Sequence, residues 1–154
     1  MKKLKYILLV AVIMLCGCNK DKDRDMDNVQ VVGEWHLASW TGSPTVQDVY
    51  VLFDSFGVFE LYQRIDKPAY EYFKGTYKFD GTYLEGNYND GTTWSNGPYI
   101  VSFEDGGNIM KMESVVSPED VSVYVKETIP DEIVSGGLGV KSVQDDAVSS
   151  LRYL

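Results

Sequence analysis

Two cysteines, Cys16 and Cys18, are the only thiols in this 154-residue chain, and both lie near its start. Downstream of Cys18 there is therefore no disulfide, no thiol nucleophile and no thiolate metal site. The single histidine, His36, has no second histidine with which to hold zinc and no serine–carboxylate arrangement to join. It reads as a solvated strand residue beside Glu34. Glu104 and Asp105 are adjacent carboxylates, but they fall in a turn signal, exposed, where nothing would raise a pKa for acid–base work. No phosphate-cradling Gly loop opens a helix. The expectation is a protein that is not an enzyme, with no catalytic residue, no metal ligand and no cofactor. What remains is aromatic. Trp94 sits in the polar, Gly-rich run Asn89–Pro98, Tyr88 and Tyr99 flank that run, and Trp40 closes an early strand. Rings of this kind bury or stack against a ligand. Trp94, Tyr88, Tyr99 and Trp40 are the candidate ligand-binding residues.

The first thirty residues say where such a site would be carried. Met1-Lys2-Lys3-Leu4-Lys5 is a basic n-region, and the apolar run Tyr6 to Leu15 is half the ~20 residues that a membrane-spanning helix needs. It reads as a signal h-region. The run ends in Leu15-Cys16-Gly17-Cys18, which resembles the bacterial lipobox, where a small residue precedes a Cys that is lipidated and becomes the first residue. That resemblance implies a signal peptide over 1–17 and lipidation of Cys18. One acyl chain gives marginal membrane binding and two or more give stable anchoring. Residues 18–30 alternate in charge with almost nothing to bury, so they read as a flexible tether. Asn19 after the Cys resembles outer-membrane lipoproteins, which implies anchoring at the outer membrane, on its periplasmic face or at the cell surface. The formal net charge is −9, which excludes a nucleic-acid partner, because phosphate binding needs a basic face. The partner expected is the membrane, reached through the lipid.

The elements that would position the aromatics are strands. From Val31 to about Thr128 the period is two, and turn residues recur every eight to twelve positions. The pattern predicts eight strands at Val31–Thr41, Asp48–Asp54, Val58–Arg64, Tyr70–Phe79, Thr82–Tyr88, Tyr99–Phe103, Asn108–Val116 and Val121–Glu127. Asp80-Gly81 suits a two-residue type I′ hairpin. A meander of this length closes on itself and removes its edges. The expected fold is all-β, an eight-stranded antiparallel up-and-down barrel over 31–128 with a C-terminal tail over 129–154 packed on it.

Gly33-Glu34-Trp35 at the head of such a meander is similar to the lipocalins, and most like the short lipocalin-like domains of bacterial lipoproteins. That resemblance covers residues 31–128. It implies that Trp35, with Gly33, plugs the closed end of the barrel, and that an arginine-like residue closes the last strand, where Lys126 is the nearest basic residue.

Parity orients the molecule. The loops after the first, third, fifth and seventh strands share one end, and the two longest, Thr41–Gln47 and Asn89–Pro98, are among them. The tether enters at the other, closed end, so the mouth faces away from the membrane. Expected inward residues are Trp35, Leu37, Phe59, Leu61, Phe73, Tyr77, Phe79, Leu84, Tyr88, Met110, Met112, Val121, Val123 and Val125. Tyr50, Tyr62, Tyr70, Tyr72 and Tyr83 fall on the outer face. The tail is read either as a helical stripe (Val143, Ala147, Val148, Leu151, Leu154, with Ser142 as N-cap) or as a docked extended segment, near the closed end in both cases. Two functions follow. The first is a lipid-anchored barrel binding a small, mainly apolar ligand in its mouth. The second is a protein- or glycan-interaction module with a filled barrel, working through mouth loops and surface aromatics.

Overall fold

A computed structural model describes residues 30–136, 141–142 and 151–154. The signal segment 1–17, Cys18 and the tether up to residue 29 lie outside the described residues, as does the proposed helical stripe over 143–150. The strands are β1 (Gly33–Trp40), β2 (Ser43–Pro44), β3 (Asp48–Phe53), β4 (Val58–Arg64), β5 (Glu71–Phe79), β6 (Tyr83–Tyr88), β7 (Tyr99–Glu104), β8 (Ile109–Ser114), β9 (Val121–Lys126) and β10 (Lys141–Ser142). Leaving aside the two-residue strands β2 and β10, eight strands pair with their neighbours in sequence, and β9 returns to β1. The result is a closed antiparallel up-and-down barrel.

Burial alternates along each strand, as a two-residue period requires. Trp35, Leu37, Val49, Val51, Phe53, Phe59, Leu61, Phe73, Tyr77, Phe79, Leu84, Tyr99, Val101, Met110 and Met112 all lie in one continuous interior cluster. The last strand differs from expectation. Pairing sets Tyr124 opposite both Leu37 and Met110, so Ser122 and Tyr124 face inward, and Val121, Val123 and Val125 lie half-buried on the outer wall. Valine's preference for strands holds on either face. The alternation of the whole strand, tied to its neighbours, decides.

Two inward positions carry no side chain, and each is filled by a ring from elsewhere. A Cβ at Gly75 would lie 2.6 Å from the Phe59 ring and 2.0 Å from the Asn87 carbonyl oxygen. A Cβ at Gly86 would lie 2.4 Å from the Trp94 indole. The second case repairs a seam. β6 and β7 share only the pairs Tyr83↔Ile100 and Leu84↔Tyr99, and beyond them residues from the 89–98 loop complete the wall. The Trp94 amide donates to the Gly86 carbonyl at 3.1 Å, and Asn87 bridges Thr93.

At the closed end the Trp35 indole N–H donates to the Val31 carbonyl at 2.8 Å, and Lys126 Nζ lies 5.2 Å from the ring centroid. Gly33, at φ 144°, leaves room for that lysine, since a Cβ there would come within 2.9 Å of Lys126 Cε. Two turns depart from expectation. Asp80 has a negative φ and only Gly81 is positive, at 95°, so this hairpin lacks the pair of positive φ angles that a type I′ turn has. A pair of consecutive positive φ angles does occur at Thr41 and Gly42, where β1 doubles back into β2.

Beyond β9 the chain leaves the closed end and runs along the outside of the barrel. The Glu127 amide donates to the Glu34 carbonyl, and the Ile129 amide to the Glu34 carboxylate. Ile129 and Ile133, the latter in a single helical turn at Asp131–Val134, pack over Tyr50, Tyr62 and Tyr70, with Leu52 and Tyr72 at the edge. Four of the five outer tyrosines are therefore the floor of an intramolecular contact, and only Tyr83, 47% exposed, stays open. β10 then pairs in parallel with β5 at Glu71 and Tyr72. The tail thus climbs from the closed end to the mouth, opposite to the expected position.

Candidate functional site

Residues 151–154 enter the mouth. Leu154 is 1% exposed and belongs to the interior cluster, and Tyr153 packs against the same cluster. Their partners come from five strands and one loop that the closed barrel brings to one rim.

Gln63, the third inward residue of β4 after Phe59 and Leu61, is 0% exposed. Its amide nitrogen donates to the Leu151 carbonyl at 2.5 Å, and its amide oxygen accepts from the Tyr153 amide at 2.9 Å. Tyr88, the last inward residue of β6, donates its hydroxyl to the Leu154 carbonyl at 2.9 Å. The Tyr153 hydroxyl bonds Ser122 Oγ of β9 at 2.9 Å, and its ring meets the edge of Trp40 at 6.1 Å between centroids. Arg152 lies over the rings of Tyr88 and Phe73, at 4.4 and 5.2 Å. Its guanidinium donates to Thr92 Oγ1 and forms an ion pair with Asp90.

A chamber of about 260 Å³ remains beside the tail, lined in part by Trp40, Gln47, Tyr99, Asp120, Ser122 and Tyr153. Asp120 holds its rim together, accepting from the Trp40 indole N–H and from the Asn96 amide. Three buried polar groups have no hydrogen-bond partner among the described residues: the side-chain oxygen of Gln47, which lines this chamber, the Trp94 indole N–H and the Tyr124 hydroxyl. A larger cleft of about 830 Å³ lies at the other end, against Ser55–Gly57 and Asp80. It is an open surface between hairpin turns.

The electrostatics follow from burial. Desolvation pushes the hydroxyl pKa values of Tyr88, Tyr99, Tyr124 and Tyr153 well above the ordinary tyrosine value of 10.0. All four stay neutral and hydrogen-bond competent across the physiological range. Asp90 moves the other way. The hydrogen bond from Arg152, then those from Thr92, hold its carboxyl far below the ordinary 3.8. The sign of the linkage is fixed by that depression. The docked tail is favoured by Asp90 above pH 3.8 and loses that support as pH falls below it. Tail docking is therefore expected to be constant from about pH 5 to 8 and to weaken below about pH 4. Asp90→Asn should flatten this acid response, with amide exchange of the tail followed against pH as the measure.

Of the expected ligand-binding residues, Trp40, Tyr88 and Tyr99 converge on this mouth. Trp94 does not sit there as an exposed ring. It is 3% exposed, edge-on to Phe53 and Phe59 and tilted against Tyr99, so it is part of the interior filling. No family model matches the chain, and no curated protein matches it either. Gln63, Ser122 and Tyr124 were missed by sequence reasoning. The signal for Gln63 was there, a polar residue on the inward parity of a strand whose other inward residues are Phe59 and Leu61.

His36 is placed apart from all this, on the outer wall. Asp48 and Glu127 each approach one of its ring nitrogens at 3.0 Å, and Tyr50 stacks on it at 4.2 Å. Arg64 pairs with the same Asp48 at 2.9 Å, and Tyr70 donates its hydroxyl to it. Rather than standing in solvent beside Glu34, the ring helps pin the start of the tail to the wall.

Proposed function

We propose that this protein is a lipid-anchored, lipocalin-like binding protein of the outer membrane, without catalytic activity, whose barrel mouth takes a small, mainly apolar ligand. The observation that carries the reading is the seat of Leu154, an apolar side chain held inside a closed barrel by groups that converge on it from the rim. Trp40 and Tyr99 supply aromatic walls to the chamber beside the tail, and Tyr88 caps the Leu154 seat with its hydroxyl. With the tail in place the remaining 260 Å³ is below the ~300 Å³ of common ligand pockets, so binding requires the tail to give way.

The test uses the full-length chain carrying Tyr153→Ala and Leu154→Ala, with an environment-sensitive hydrophobic dye and a long-chain fatty acid as probes. Saturable one-to-one binding, at least tenfold tighter than to the unaltered chain, is the expected result. A folded double variant that binds neither probe contradicts the reading.

A second reading, an interaction module with a filled barrel, is favoured by one specific observation. The material that fills the mouth is polypeptide. Anchoring is tested separately. Cys18→Ala should move the protein from the membrane fraction to the soluble fraction after export, and continued membrane association would contradict a lipid anchor on Cys18.

A further inference from the structure

The groups that hold the tail read its main chain. Gln63 brackets Arg152, donating to the carbonyl of the residue before it and accepting from the amide of the residue after it. A residue in a parallel β-strand makes the same pair of bonds to its neighbour. Tyr88 adds a third main-chain bond at Leu154. Whatever occupies this position has to offer the fully buried Gln63 amide both a donor and an acceptor, since a desolvated polar group left unpaired is unfavourable.

Side-chain recognition is superimposed on that bracket. A cation is held over the Tyr88 and Phe73 rings with Asp90 as its counter-charge. An aromatic hydroxyl meets Ser122, its ring edge-on to Trp40. An aliphatic side chain enters the barrel core. The three subsites are occupied by three successive residues, Arg152, Tyr153 and Leu154.

We propose that the barrel mouth is a peptide-recognition site for an extended segment of the pattern Arg-aromatic-Leu presented by a partner polypeptide, with residues 151–154 as its occupant in cis. This rests on the mouth being the binding site, and it names the ligand class of that site as peptide. Acidic charge at the rim selects a cationic residue, and the closed interior limits the third position to one aliphatic side chain.

The experiment uses the same full-length Tyr153→Ala/Leu154→Ala chain, first shown to be folded by its thermal transition. Its probe is the acetylated, amidated peptide Leu-Arg-Tyr-Leu. Calorimetric titration is expected to give saturable one-to-one binding. Affinity should fall at least tenfold when Gln63→Leu is added, and at least fivefold with Asp90→Asn, whose exposed position leaves the fold intact. No binding to the folded chain, or equal affinity for the scrambled peptide Arg-Leu-Leu-Tyr, overturns the proposal. The dye and fatty-acid titrations separate the two ideas. Probe binding without peptide binding leaves the small-ligand reading and removes this one, whereas peptide binding without probe binding does the reverse. If neither binds, the mouth is not the site.

Discussion

Trp94→Ala is expected to cost the barrel about 3–5 kcal/mol, the range for truncating a buried aromatic. The indole fills the gap over Gly86, touches Phe53, Phe59 and Tyr99, and completes the wall where β6 and β7 part. Urea unfolding should show a lower midpoint with little change in slope. Gly86→Ala attacks the same contact from the other side, because its Cβ would stand 2.4 Å from the indole, and overpacking of that kind costs about 1–3 kcal/mol. The two changes should not add. In the double variant the new methyl enters space that the ring has vacated, so Gly86→Ala should be far milder on the Trp94→Ala background. Additive losses would mean that the indole does not lie over Gly86.

Leu154→Ala should have an effect of similar size in a different place. Its side chain is 1% exposed, and truncating a buried leucine costs about 2–5 kcal/mol. That is roughly 30-fold or more in the equilibrium between docked and undocked tail. The eight-stranded ladder has no bond that passes through Leu154, so the loss should appear as local release of the tail. The contact between the Trp40 and Tyr153 rings should disappear from nuclear Overhauser spectra, while the strand amides keep their protection. A fall in global stability equal to that of Trp94→Ala, with the tail still in place, would show that the tail is an ordinary core element.

The barrel was legible in the sequence because its two signals, alternation and turn spacing, are local. The same locality explains the errors. Trp94 sits among polar and glycine residues, and composition alone gives it a loop position at the mouth with no sign of which way the ring turns. The information that it turns inward is held by Gly86, eight positions earlier, an inward position between Leu84 and Tyr88 with no side chain of its own. The parity of β9 was misread for a related reason, since three alternating valines looked like a buried face while Tyr124 is the residue that its neighbours turn inward. The tail was placed at the closed end because eight strands return the chain there. What sends it back is the outer face of β3 and β4, where Tyr50, Tyr62 and their neighbours form an apolar surface that needs a cover. Those tyrosines, expected on the outer face, are the track that Ile129 and Ile133 follow.

Most of the candidate site depends on that return. Trp40, Tyr88 and Tyr99 were found from residue type and position, but their common partner is a segment far away in sequence. Gln63 acquires meaning only once main chain lies beside it.

The central claim, that this barrel holds a stretch of its own chain in its mouth, is most directly tested by amide hydrogen exchange at Tyr153 in the unaltered protein. Its N–H donates to the buried Gln63 oxygen at 2.9 Å. Exchange slowed by two orders of magnitude or more relative to an unstructured peptide, and restored to near the unstructured rate by Gln63→Leu, is the predicted result. Exchange at the unstructured rate in a barrel whose strand amides remain protected would contradict it.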